Sequence, residues 1–159
     1  MCGSVKLEPR RVMTMIQYPL KFRFTAQGTS GTQQVWSTNT QDASSMTCAI
    51  PPEFDGPGGG YSPEDFFGLA VMNCFVATFK VIAERSKLLF LEVKAQAELI
   101  VDRDAQGAPW MSAMNVQIKL MLQPGQEHSR ARHLLEKTAA SCLVARSIKT
   151  DVRFFFELE

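Results

Sequence analysis

The chain has 159 residues, 45% hydrophobic and 21% charged, which is the size and composition of one globular domain spanning residues 1–159. Seventeen basic residues face sixteen acidic ones, with no long run of either sign, so there is no electrostatic footprint for nucleic acid or anionic lipid. The longest apolar stretch, FFGLAVMNCFVATFKVIA, is interrupted by Asn73 and Lys80 and falls short of the roughly 20 clean residues of a membrane span, so it reads as a core helix.

Residues 1–20 read as an irregular basic arm. No apolar segment follows its positive charges, so a cytoplasmic setting is expected, with free thiols at Cys2, Cys48, Cys74 and Cys142. The stretch KFRFTAQ alternates Phe22, Phe24 and Ala26 against polar neighbours, the pattern of a strand buried on one face. A GTSG turn follows, then two short strand candidates, QQVWST and MTCAI, the second placing Met46, Cys48 and Ile50 on one side.

PPEFDGPGGG is a breaker-rich loop without the GK[ST] or GxGxxG pattern of a phosphate cradle, and it reads as a flexible entry to the next helix. That helix is predicted from Ser62 to about Ser86. Ser62 offers an N-cap oxygen, Pro63 sits at the first helical position and Asp65 stands where a capping box needs a carboxylate. Phe67, Ala70, Val71, Cys74, Thr78 and Val81 recur at helical spacing and form an apolar stripe centred on Cys74.

LEVKAQAELIVD and AMNVQIKLML then form a predicted antiparallel hairpin. Leu91, Val93, Ala95, Ala97, Leu99 and Val101 face inward on the first strand, and Met114, Val116, Ile118, Leu120 and Leu122 on the second. PGQEHSRARHLLEKTAASC is a second helix with Leu135, Thr138, Ala139 and Cys142 along one face, and TDVRFFFELE closes the chain as a strand. The order of strands, helix, hairpin, helix and strand gives an α+β class. There is no CxxC pair. His128 and His133 would point about 140° apart on their helix, so no metal site is expected and both histidines read as surface groups.

Each predicted helix thus carries one thiol on its apolar face. Two buried core cysteines would give this pattern, and so would a peroxidatic and resolving pair on helices that pack together. At these residues the chain resembles the OsmC/Ohr family, the osmotically inducible and organic hydroperoxide resistance proteins. The motifs are GPGGGYSPEDFFGLAVMNCF and EKTAASCLVARSIKTDVRFFFEL, and the resemblance covers roughly residues 21 to 158.

The resemblance implies an OsmC-like fold of antiparallel sheets with two core helices carrying the cysteines, in an intertwined homodimer. It implies thiol-dependent reduction of organic hydroperoxides without a cofactor, with Cys74 as peroxidatic thiol, Cys142 as resolving thiol and Glu64 as the supporting carboxylate. Electrons would return from a dithiol such as a protein-bound lipoyl group. The family's arginine, placed in the turn after the early strand, is unmatched: Thr29 or Ser30 stands there, and Arg23 lies on the polar side of its strand. Leu143 stands where the family often has proline. The unmatched arginine leaves open a second reading, a non-catalytic dimer of the same fold that binds a small apolar ligand. Glu64 and Cys74 lie about 15 Å and about 80° apart on a straight helix, so if both act on one thiol the site is expected to form across the dimer.

Overall fold

A computed structural model describes residues 21–29, 31–40 and 43–159; the arm over residues 1–20, Cys2 and Ser30 lie outside the described residues. Strands β1 (Phe24–Gln27), β2 (Trp36–Thr40) and β3 (Met46–Cys48) form a three-stranded antiparallel sheet with Ala26 opposite Thr38 and Trp36 opposite Cys48. The expected buried face of β1 is not buried: Phe22 and Phe24 are 75% and 71% exposed and Ala26 is exposed too. The reason is that, among the described residues, no helix packs on this sheet. None of its residues joins the hydrophobic core.

A single helical turn at Pro52–Phe54 leads into the glycine-rich loop. The loop is shaped by close contact rather than flexibility. A Cβ at Gly56 would lie 2.0 Å from the Ile50 carbonyl oxygen, and one at Gly60 would lie 2.9 Å from the Cys48 carbonyl carbon. Only glycine lets the loop return against β3, where the Tyr61 N–H donates to the Thr47 carbonyl at 3.0 Å and the Ala49 N–H to the Tyr61 carbonyl at 3.1 Å.

Helix α1 (Pro63–Arg85) begins as its sequence predicts. The Asp65 N–H donates to Ser62 Oγ at 3.0 Å and the Ser62 N–H to Asp65 Oδ2 at 2.8 Å, a complete capping box. It ends in a Schellman motif, with the Leu88 N–H on the Ala83 carbonyl at 2.9 Å, the Lys87 N–H on the Glu84 carbonyl at 3.0 Å, and Lys87 left-handed at φ 53°. At 23 residues α1 is, by length and composition alone, long and apolar enough to cross a bilayer, contrary to the expectation from its Asn and Lys interruptions. Instead it lays Val71, Phe75, Phe79 and Ala83 on a sheet. The buried stripe is therefore centred one residue on from Cys74, which is half-buried at its flank, and Val81 is exposed.

β4 (Phe90–Arg103) and β5 (Pro109–Leu122) form the expected antiparallel hairpin. Its turn is closed by Asp104 Oδ1, which accepts from the Gln106 and Ala108 N–H groups at 2.9 Å each. Met114, Val116, Ile118, Leu120 and Leu122 are buried as predicted. Leu91, Ala97 and Val101 are exposed: Leu91 falls at the irregularity between Phe90 and Glu92, and Val101 belongs to the distal end of the hairpin, where every residue from 101 to 110 is exposed.

Helix α2 (His128–Ser141) packs Ala131, Leu134, Leu135 and Thr138 inward and leaves His128 and His133 exposed. A four-residue helix, α3 (Leu143–Arg146), precedes β6 (Asp151–Leu158). β6 runs parallel to β5, Val116 opposite Phe154, so the second sheet is mixed rather than antiparallel. The long connection through α2 makes parallel pairing accessible. Phe75 is fully buried where the helices meet this sheet, its ring centroid 4.9 Å from Phe154 and 6.0 Å from Phe156. Burying one such side chain contributes about 1.5–3 kcal/mol.

Candidate active site

The two cysteines are brought together, although one is not where its sequence pattern put it. Cys74 projects from the middle of α1. Cys142 does not lie on the face of α2. It occupies the one-residue break between α2 and α3, with extended backbone at φ −64° and ψ 110°. The stripe of Leu135 and Thr138 leads to it, but the helix stops at Ser141 and the chain turns, leaving Cys142 buried. α3 then packs against α1.

That turn aims backbone N–H groups at sulfur. The Val144 N–H donates to Cys74 Sγ at 3.4 Å. Burial pushes the Cys142 thiol up to about 11; the N–H groups of Ala145 and Val144 oppose this, and the neighbouring Cys74 sulfur adds to it. Cys142 is thus a protonated thiol beside a more accessible one, and both are free. Cys48 is buried in β3, where burial raises its titration, and its thiol donates to the Met46 carbonyl at 3.8 Å, as a packed inward residue should.

Glu64 lies in the first turn of α1, ten residues from Cys74 on one uninterrupted helix, so within one chain the two remain about 15 Å apart. Glu64 instead lines a cavity of about 890 Å³ between the glycine-rich loop, α1 and the hairpin, with Pro52, Met72, Leu99, Val101 and Met114 among its walls. Its Oε2 is buried without a hydrogen-bond donor among the described residues. A buried carboxylate oxygen is costly to leave unpaired, so this atom is suited to a donor from a ligand or another chain. Arg23 and Thr29 are both exposed.

Sequence reasoning missed two features of the site. The first is the backbone donor at Val144, for which no side-chain pattern could give a signal. The second is the apolar wall that the hairpin presents to Glu64; the alternation of Leu99 and Val101 was visible, but not what they would face.

Comparison with known proteins agrees with this architecture. The chain is 25% identical over 131 residues to the uncharacterized protein YmaD of Bacillus subtilis, covering 77% of this chain and 87% of that one. Its fold is similar to that of an OsmC-like protein of unknown function from Vibrio cholerae, with a TM-score of 0.79, 14% identity, and coverage of 87% and 99% of the two chains. It is also similar to the organic hydroperoxide resistance protein OsmC of Legionella pneumophila, with a TM-score of 0.68, 18% identity, and coverage of 89% and 99%. The family model described as OsmC-like protein matches residues 56–157, a span that holds Glu64, Cys74 and Cys142 and most of the chain. The chain belongs to the OsmC-like protein family.

Proposed function

We propose that the protein is a thiol peroxidase that reduces organic hydroperoxides through Cys74 and Cys142, working as a homodimer. The observation that carries this reading is the meeting of a half-buried thiol with a buried, protonated one at the α1–α3 contact. In the reaction the Cys74 thiolate attacks the outer oxygen of the peroxide. The O–O bond breaks, the alkoxide leaves with a proton as alcohol, and Cys74 becomes a sulfenic acid. The Cys142 sulfur then attacks Cys74 and water leaves as the disulfide forms. A dithiol reductant, such as a protein-bound lipoyl group, restores both thiols by exchange and becomes a disulfide itself.

Support for the dimer comes from apolar surface that the single chain leaves uncovered. Among the described residues the first sheet joins no part of the hydrophobic core, Phe22 and Phe24 are open, and 22% of the most apolar window of α1 is buried. Surface of this kind is what a partner covers. In such a dimer Glu64 of one protomer would serve the thiol of the other, which also suits its orphaned oxygen.

The test is a thiol count before and after one equivalent of cumene hydroperoxide. Rapid loss of two thiols, abolished by Cys74→Ser, is the expected result; a Cys74 that reacts no faster than free cysteine sinks the proposal. That second outcome would favour a non-catalytic dimer that binds a small apolar ligand. The cavity beside Glu64, which Cys74 does not line, and the turn without arginine favour that reading.

A further inference from the structure

The thiol chemistry proposed above needs a donor for the sulfur anion, and the turn where the family resemblance would place an arginine reads Gly28-Thr29-Ser30-Gly31. We infer that the backbone N–H of Val144 is the positioning donor for the Cys74 thiolate, in the role of the guanidinium this chain lacks in that turn. The inference rests on the peroxidase reading only for its purpose; the donor itself is testable without peroxide.

Val144 is the second residue of α3, so its N–H has no intrahelical acceptor. The acceptor it has is Cys74 Sγ, at 3.4 Å. A four-residue helix adds little field of its own, and what matters is the single directed bond. The bond exists because of Cys142. Its extended backbone ends α2 and turns the next amides towards α1 instead of along the helix axis. The N–H groups of Val144 and Ala145 also act on the Cys142 sulfur. The Val144 amide is therefore shared between the two sulfurs, with the Ala145 amide acting on Cys142 alone. Negative charge can sit on either during disulfide formation and reduction without a side chain having to move, which is preorganisation of the kind that lowers barriers. The side chain at 144 contributes nothing to the donor, so any residue but proline could supply it.

The test replaces Val144 in the full chain with its α-hydroxy acid, which exchanges the N–H for an ester oxygen and keeps the side chain. Alkylation of Cys74 by iodoacetamide, followed on the Cys74 peptide by mass spectrometry, should slow about tenfold at pH 7, since hydrogen bonds to charged groups are the strong ones. Its pH profile should move to higher pH. The same exchange at Leu143, the first residue of α3, should change the rate less than twofold. Native rates in the ester at 144 would overturn the inference while leaving peroxide-driven thiol loss untouched. Slow alkylation in the ester, combined with a native Cys74 inert to peroxide, would uphold the donor and sink the peroxidase. In the unmodified chain, labelled with ¹⁵N, the Val144 amide proton should move with the same pH midpoint as Cys74 alkylation. An amide that ignores that midpoint overturns the inference whether or not the ester variant folds.

Discussion

Replacing Leu143 with proline tests whether the break at Cys142 is built into the backbone. Proline suits the first position of a helix, where its missing N–H has no partner to lose, and Leu143 is the first residue of α3. The residue before proline is pushed towards extended backbone with positive ψ, and Cys142 is already there at ψ 110°. The leucine side chain is 73% exposed in the single chain, so little apolar contact is lost. What remains is the reduced freedom of the unfolded chain, about 0.4–1 kcal/mol in favour of the folded state. For a chain of this size that corresponds to a rise in Tm of about 1–4 °C. Differential scanning fluorimetry on native and Leu143→Pro protein reads this directly, with Cys74 alkylation rates beside it. A fall in Tm of several degrees, or a changed Cys74 rate, would refute the claim that Cys142 and the amides after it already hold the geometry a proline would impose.

Phe75→Ala should cost about 3–5 kcal/mol, because the ring is fully buried against Phe79, Phe154 and Phe156; urea denaturation monitored by circular dichroism measures it. Lys87→Gly should raise stability by about 0.5–1 kcal/mol in the same assay, since relief of a left-handed side-chain residue exceeds the extra freedom glycine gives the unfolded chain. The Cys142 thiol stays protonated to about 11 when folded, whereas an ordinary thiol ionises near 9. The folded state therefore holds the extra proton, and the stability it contributes is lost as pH rises from about 9 to about 11. The urea midpoint should drop less between pH 8 and pH 10 in Cys142→Ala than in the native chain. Mixed dimers of Glu64→Ala and Cys74→Ser chains should regain one intact site if the carboxylate works across the interface; if they are as inactive as either parent, the pairing lies within one chain.

Much of the fold could be read from short patterns, and the departures have physical causes. The start of α1 was legible because Ser62, Pro63 and Asp65 each have one local job, and the core strand of the hairpin because Met114 to Leu122 alternate strictly. The buried face of α1 falls one residue on from its apolar stripe because this helix is apolar on most sides, and periodicity cannot choose between Cys74 and Phe75 when only the sheet beneath decides. The parallel direction of β6 leaves no trace in an alternating strand. The end of α2 at Ser141 was hidden because neither glycine nor proline marks the break at Cys142. Of the candidate site, Cys74, Cys142 and Glu64 stand out in the sequence as candidates. The meeting of Cys74 with Cys142 depends on helix packing, and the amide beside them carries no side-chain signature.

The separation of the first sheet from the core also affects how the chain opens. β1 to β3 share no buried cluster with α1, α2 and the second sheet, so the two parts have little to make them unfold together. Among the described residues each holds one buried thiol, Cys48 in the first and Cys142 beside the second. These thiols act as built-in probes of two separate openings. In a native-state labelling experiment on the single chain, Cys48 would report the opening of the first sheet and Cys142 that of the α2–α3 junction.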